Sequence, residues 1–444
     1  MTASQVRIPN ARVIVSAAAI AFAASLLWLT RTYTFYFDEW SYILAAPEWT
    51  LTSYLEPHNV HPAMLHRLLY SILLGTVGLH SYVPYMAVLL ALHAANVVLL
   101  FEVVRRRAGE LIGIASAALL LVLGAAWEDL LWAFQTMFLA SVASGLGALL
   151  VMQGARSSKR LFLTALLLTV SLMFSAVGLF FLVAVAVQLG AVRDRRRDLL
   201  WLVPTALAFV AWYVAFARSG SEHDTGPAPS PANLVVLPLY LLWGLGSSAA
   251  GLIGEGGWFA PVMLVLAGAA IGWTWWRRGV DPFALGVAAG LVGFYLVTGL
   301  ARAQFGYQQS GAARYVYVGA VFLLLLLADA AKGLPWRGTW RPVLVAFVFL
   351  ACFSSSVLLF TWWVAKTVQM QRQVADIQAL NHMRHDPCLS PRGWADPLVM
   401  PAVRSPALYY RAIDRYGDPV AGLPVTDRGD FDIAEKNLRL PNCP

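Results

Sequence analysis

Continuous apolar runs of about 20 residues, the length a helix needs to cross the roughly 30 Å hydrocarbon layer of a bilayer, recur along nearly the whole chain. Lipid offers no hydrogen bonds to an open backbone, so a chain built from such runs must close its amides within helices. Composition agrees: 59% of the 444 residues are hydrophobic and 13% are charged, against about 25% charged in an average soluble domain. Too little polar surface remains to coat a soluble globule. The fold class expected is an all-α integral membrane protein.

The runs fall near residues 12–30, 82–104, 109–126, 133–153, 160–174, 177–192, 199–217, 258–276, 282–300, 314–331 and 342–364, which gives about eleven crossings. Basic clusters sit at alternate ends of them: Arg105 to Arg107, Arg156 with Lys159 and Arg160, Arg193 with Arg195 to Arg197, Arg277 with Arg278, and Lys332 with Arg337 and Arg341. That alternation is what the positive-inside rule produces, so the net charge of +8 needs no nucleic acid to explain it. The N terminus is placed inside and the C terminus outside, with the first run a retained anchor rather than a cleaved signal peptide. Residues 234–254 are apolar too, but a crossing there would reverse every later basic loop. Their glycines and Pro238 suit an outer interfacial or re-entrant segment. Residues 1–364 therefore form the membrane domain, and residues 365–444 an extracytoplasmic tail or small cap.

The cytoplasmic connections are short and the outer ones long. The outer loop 31–81 opens with Tyr36-Phe37-Asp38-Glu39-Trp40-Ser41-Tyr42, an aromatic stretch with two adjacent carboxylates at the membrane surface. Acids beside lipid are costly and usually functional; the structural alternative is a helix cap flanked by an aromatic belt. Glu56-Pro57-His58-Asn59-Val60-His61-Pro62 then leads into an amphipathic helix, Ala63 to Leu74, with Pro62 suited to its first turn. His58 and His61 are candidate ligand or substrate contacts, or interfacial histidines satisfied by hydrogen bonds. A second acidic pair, Glu128 and Asp129, occupies the next outer turn, on the same side of the membrane as the first.

Phe37-Asp38-Glu39-Trp40, placed just after the first helix, resembles the acidic motif of the GT-C glycosyltransferases, including protein O-mannosyltransferases and aminoarabinose transferases. His61-Pro62-Ala63-Met64-Leu65 is similar to the His/Pro-led helix later in the same loop of those enzymes. The specific motifs cover about residues 35–75, and the architecture covers the whole chain. The resemblance implies a polyprenyl-phosphate-sugar donor, an envelope glycan, lipid or protein acceptor, two juxtamembrane helices in the first outer loop, and a cell-membrane enzyme working at the outer face. It assigns the general base to Asp38, with Glu39 as its neighbour. A single base suffices because a phosphate departs without needing a proton.

Cations for that phosphate stand at Arg302 and Arg314 around the outer loop 301–313, which also offers Tyr307, and Arg67 is a third candidate. Cys388 and Cys443 both fall in the tail, where they are either a disulfide or two free thiols. Whether a divalent metal assists is left open. Two rival functions remain, a transporter or flippase of lipid-linked saccharides and an envelope polysaccharide polymerase or ligase. A transporter calls for ionisable residues at mid-membrane depth, but Glu102 and Asp329 lie near cytoplasmic ends.

Overall fold

The computed structural model describes residues 7–217, 229–332, 339–425 and 427–443; Arg337 and residues 218–228 of the second long outer segment lie outside that set. The architecture is all-helical, with no strand among the described residues. Helices α1 (Ala11–Leu29), α2 (Asp38–Ala45), α3 (Met64–Thr76), α4 (Val83–Ala108) and α5 (Glu110–Leu121) come first. They are followed by α6 (Trp127–Leu131), α7 (Thr136–Met152), α8 (Ser158–Phe174), α9 (Gly178–Gly190), α10 (Val203–Trp212) and α11 (Asn233–Gly251). The rest are α12 (Ala260–Arg278), α13 (Pro282–Arg302), α14 (Ala313–Ala331), α15 (Trp340–Met383), α16 (Pro406–Tyr416) and α17 (Arg428–Leu438).

Among the described residues, eight helices are long and apolar enough to cross a membrane, or up to ten if each of two bent pairs counts as one span. Nine of the eleven expected runs are among these; the runs at α8 and α9 are not, and α11, expected not to cross, is. Helices α8 and α9 have 17 and 13 residues, so α9 spans only about 20 Å at 1.5 Å per residue, well under the thickness of a bilayer core. Both stop at Ser175, whose hydroxyl meets His61 Nδ1 at 3.1 Å. The first loop therefore descends into space that two full-length helices would fill.

Close helix packing comes from small residues, as in membrane bundles generally. Gly286 and Gly290 of α13 lie against α9, where a Cβ on Gly286 would stand 2.2 Å from the Ala184 carbonyl oxygen. One end of the bundle is fastened by ion pairs. Glu102 holds Arg12 and Arg105, both at 2.7 Å; Arg107 bridges Asp281 at 2.8 Å and Asp329 at 3.3 Å; Asp198 takes Arg156 at 2.7 Å. Three of the basic clusters seen in the sequence, at 105–107, 156–160 and 193–197, are thus paired with acids, which limits the cost of burying their charge.

Helix α11 does not run from one end to the other, although its length and apolarity qualify it. Asn233 at its start donates to Leu300 O and Gln304 Oε1, at 2.8 and 2.7 Å. Gly251 at its finish lies against Val316 and Ala125. Residues 300 and 316 flank the 303–312 connection between α13 and α14, so both ends of α11 lie toward the end of the bundle opposite the ion pairs.

The last helix passes through the expected domain boundary at residue 364 without a break, 44 residues as one rod. Its second half carries the tail. Helix α17 packs along it, and α16 rests on the first loop, where Arg411 meets Glu48 at 3.0 Å and Tyr409 stacks near Trp40 at 5.6 Å. Cys388 and Cys443 are joined, closing a loop of 55 residues. In the chain-entropy account such a loop is worth about 4 kcal/mol. Cys388→Ser is expected to loosen residues 384–443 by that order, read as new protease cleavage there. Unchanged protease resistance would contradict this role for the bond.

Candidate functional site

The first loop folds around Glu39, not Asp38. Glu39 is fully buried and accepts from the Tyr36 N–H at 2.8 Å, Tyr70 Oη at 2.8 Å and Tyr82 Oη at 2.9 Å. Phe35 packs edge-on to Tyr82 and Tyr85 beside it. Burial is the main cause that raises the Glu39 carboxyl to about 7. Glu39, expected as the neighbour of the base, is held inside the loop by these bonds and does not line the cavity described below.

With Glu39 fixed inward, the next position must point elsewhere. Phe37 precedes α2 at φ +51°, a backbone region that a bulky L-residue enters only when its surroundings enforce it. Asp38 then occupies the first turn of α2 without capping it, so its carboxylate is left to face open space. Residues His58 and His61 form a small reverse turn with reciprocal backbone bonds of 3.0 Å, and Asn59 and Ala63 also take positive φ, +51° and +50°. Because Ala63 turns the chain in this way, Pro62 lies before the helix cap rather than in the first turn. Arg67 of α3 donates to the carbonyls of Ser53, Glu56 and Pro57. It closes the loop and does not reach the cavity.

These elements enclose a cavity of about 480 Å³ lined by Asp38, His58, His61, Glu128, Arg302, Arg314 and Lys366, with Tyr36, Trp127, Trp132 and Phe305 among its aromatic walls. Asp38 Oδ2 stands 4.0 Å from His58 Nε2. Arg314 Nη1 meets Glu128 Oε2 at 3.1 Å. The structure thus brings together six of the residues singled out in the sequence: Asp38, His58, His61, Glu128, Arg302 and Arg314. It leaves four outside. Besides Glu39 and Arg67, Asp129 is fully buried in the turn below, and Tyr307 packs on Trp243 at 5.2 Å instead.

Lys366 was not foreseen. It is 3% exposed, just past the apolar part of α15, with its Nζ 3.2 Å from the Tyr36 ring centroid and 3.1 Å from Gln369 Oε1. No carboxylate pairs with it within ion-pair distance among the described residues. In the sequence it is a lone lysine after Trp362-Trp363-Val364-Ala365, which reads as an ordinary interfacial anchor.

No protein-family model, curated protein or solved structure matches this chain. What the site can do is accordingly drawn from its own chemistry.

Burial pushes the Asp38 carboxyl up to about 6, against the pull of Arg314 and Arg302. A carboxylate of that strength takes up a proton more readily than an exposed aspartate and is still ionised at neutral pH. Burial lowers His61 to about 3, with Arg302 and Arg314 adding to the effect, so its imidazole is neutral. The Lys366 amine is likewise lowered by burial, to about 7. The cavity thus holds the Asp38 carboxylate together with the Arg302, Arg314 and Lys366 cations. Among the described residues, no three His, Cys, Asp or Glu side chains gather in a way that could hold a metal ion.

Proposed function

We propose that the chain is an inverting membrane glycosyltransferase of GT-C-like architecture, taking a sugar from a polyprenyl-phosphate carrier to a hydroxyl acceptor at the non-cytosolic face. One observation carries the reading: the first-loop acid Asp38 faces the same polar cavity as Arg302, Arg314 and Lys366. The ion-paired, arginine-rich end of the bundle is the cytosolic one by the positive-inside rule, which puts this cavity outside.

In the reaction, Asp38 accepts the proton of the acceptor hydroxyl as its oxygen forms a bond to the anomeric carbon. The bond from that carbon to the phosphate oxygen breaks, and the electron pair leaves with the phosphate. Guanidinium and ammonium groups stabilise the departing charge, the Lys366 ammonium from a buried position where such a contact counts for more than in bulk solvent. Glu128 holds Arg314 until the phosphate competes for it. His58 stands 4.0 Å from the base on the same side of the cavity.

The carrier reading is less favoured. His93 is an ionisable side chain deep in α4, but its two ring nitrogens engage Tyr317 Oη and Leu121 O, each at 3.0 Å. Those bonds serve packing.

The test is direct. Purified chain in lipid discs is given labelled polyprenyl-phosphate pentoses and hexoses together with cell-envelope extract. Label is expected to move from one of these donors to the acceptor fraction with inversion at the anomeric carbon. Absence of both transfer and donor hydrolysis with every donor would reject the proposal.

A further inference from the structure

Beyond Lys366 lies a second cavity of about 560 Å³, lined by Trp127, Trp362, Gln369, Arg372, Leu398 and Asp430 among others. Trp127 and Lys366 are the two residues common to both cavities, so they form the partition between them. Gln369 completes it, donating to Tyr36 Oη at 2.7 Å and accepting from Lys366 at 3.1 Å. The rings of Trp127 and Trp362 are stacked, 4.5 Å apart and inclined by 13°. At the tail side of the same cavity, Arg372 Nε pairs with Asp430 Oδ2 at 3.2 Å.

An aromatic platform facing a planar donor–acceptor pair is a poor seat for an acyl chain, which would leave the charged pair desolvated and unanswered. It suits a pyranose or furanose ring. Such a ring has an apolar C–H face that lies on an aromatic surface and adjacent hydroxyls that can donate to a carboxylate while accepting from a guanidinium.

We infer that the second cavity binds a saccharide, its ring against the half-exposed Trp362, which Trp127 backs from its other face, and its hydroxyls on Arg372, Asp430 and Gln369. Resting on the transferase reading above, this saccharide is the acceptor, which narrows the acceptor class from any hydroxyl to a glycan. Its reacting hydroxyl reaches the Asp38 cavity past the partition at Trp127 and Lys366. The tail, which supplies Asp430 and Leu398, thereby becomes part of the acceptor site and not merely a cover.

Direct binding tests this without any donor. Full-length chain in lipid discs is titrated with short neutral oligosaccharides of hexoses and of pentoses, followed by saturation-transfer NMR. At least one series is expected to bind saturably. Trp362→Ala and Arg372→Gln should each weaken it about tenfold, equivalent to about 1.4 kcal/mol, with Trp362→Phe recovering part of the loss. Failure of every oligosaccharide to bind, or equal binding by both cavity variants, would overturn the assignment. Saccharide binding by a chain that transfers no sugar would instead sink the transferase reading and leave the cavity assignment standing.

Discussion

Asp38→Asn is expected to lower the rate of sugar transfer by roughly 10²–10⁴-fold, the range over which a positioned general base contributes. The amide has the shape of the carboxylate and fits the same turn, because Glu39 and not Asp38 holds the loop in place. What it cannot do is take a proton from the attacking hydroxyl. The loss should therefore fall on kcat, with donor KM changed far less, since the cations that hold the phosphate remain. His58, 4.0 Å away, is the natural competitor for the role of base. If it were the base, Asp38→Asn would retain most of the activity and His58→Gln would abolish it. Glu39→Gln supplies the contrast: it disturbs a buried cluster of three tyrosine-linked bonds, so its effect should appear as reduced thermal stability before any change in chemistry. Full transfer by Asp38→Asn would end the assignment.

The difference between those two neighbours shows where sequence reading reaches its limit. Position relative to the first helix was enough to single out the Phe37-Asp38-Glu39 stretch, and hydropathy was enough to give an all-α membrane protein. Adjacent carboxylates look alike in a sequence, however. Which of them turns inward depends on tyrosines at positions 70 and 82 and on the positive φ at Phe37, contacts that no local pattern announces. Tyr307 fails for a similar reason. It stands in the right loop, but Trp243 of α11 captures its ring, and Phe305 and Gln309 face the cavity in its place. Two of the expected crossings, at α8 and α9, run for only 17 and 13 residues, because hydropathy reports how apolar a helix is and not how far it continues. Lys366 is the largest omission. A lysine after two tryptophans has the local signature of a membrane anchor, and only the fold of the first loop over α15 turns it inward.

Lys366→Met should lower kcat/KM for the phosphate-linked donor by roughly 10²–10³-fold, the size of effect seen when one preorganised charge-stabilising group is removed. Burial makes the Lys366 ammonium unfavourable, and the lowered value of about 7 expresses that penalty, which the more distant charges of Glu39 and Glu128 offset only in part. An incoming phosphate restores the counter-charge, so binding and protonation are linked. The signs can be worked out from the two shifts. Asp38 is the active base only when ionised, above about 6, whereas Lys366 attracts the phosphate only when charged, below about 7. The profile of kcat/KM against pH should therefore be a narrow bell, falling on the acid side through Asp38 and on the alkaline side through Lys366. Lys366→Arg keeps a cation that stays charged throughout this range, so the alkaline limb should move out while the acid limb stays near 6. A lysine that merely braced Tyr36 and Gln369 would change thermal stability on substitution and leave both limbs where they were. An alkaline limb that survives unchanged in Lys366→Arg would remove this residue from the phosphate site and return the task to Arg302 and Arg314.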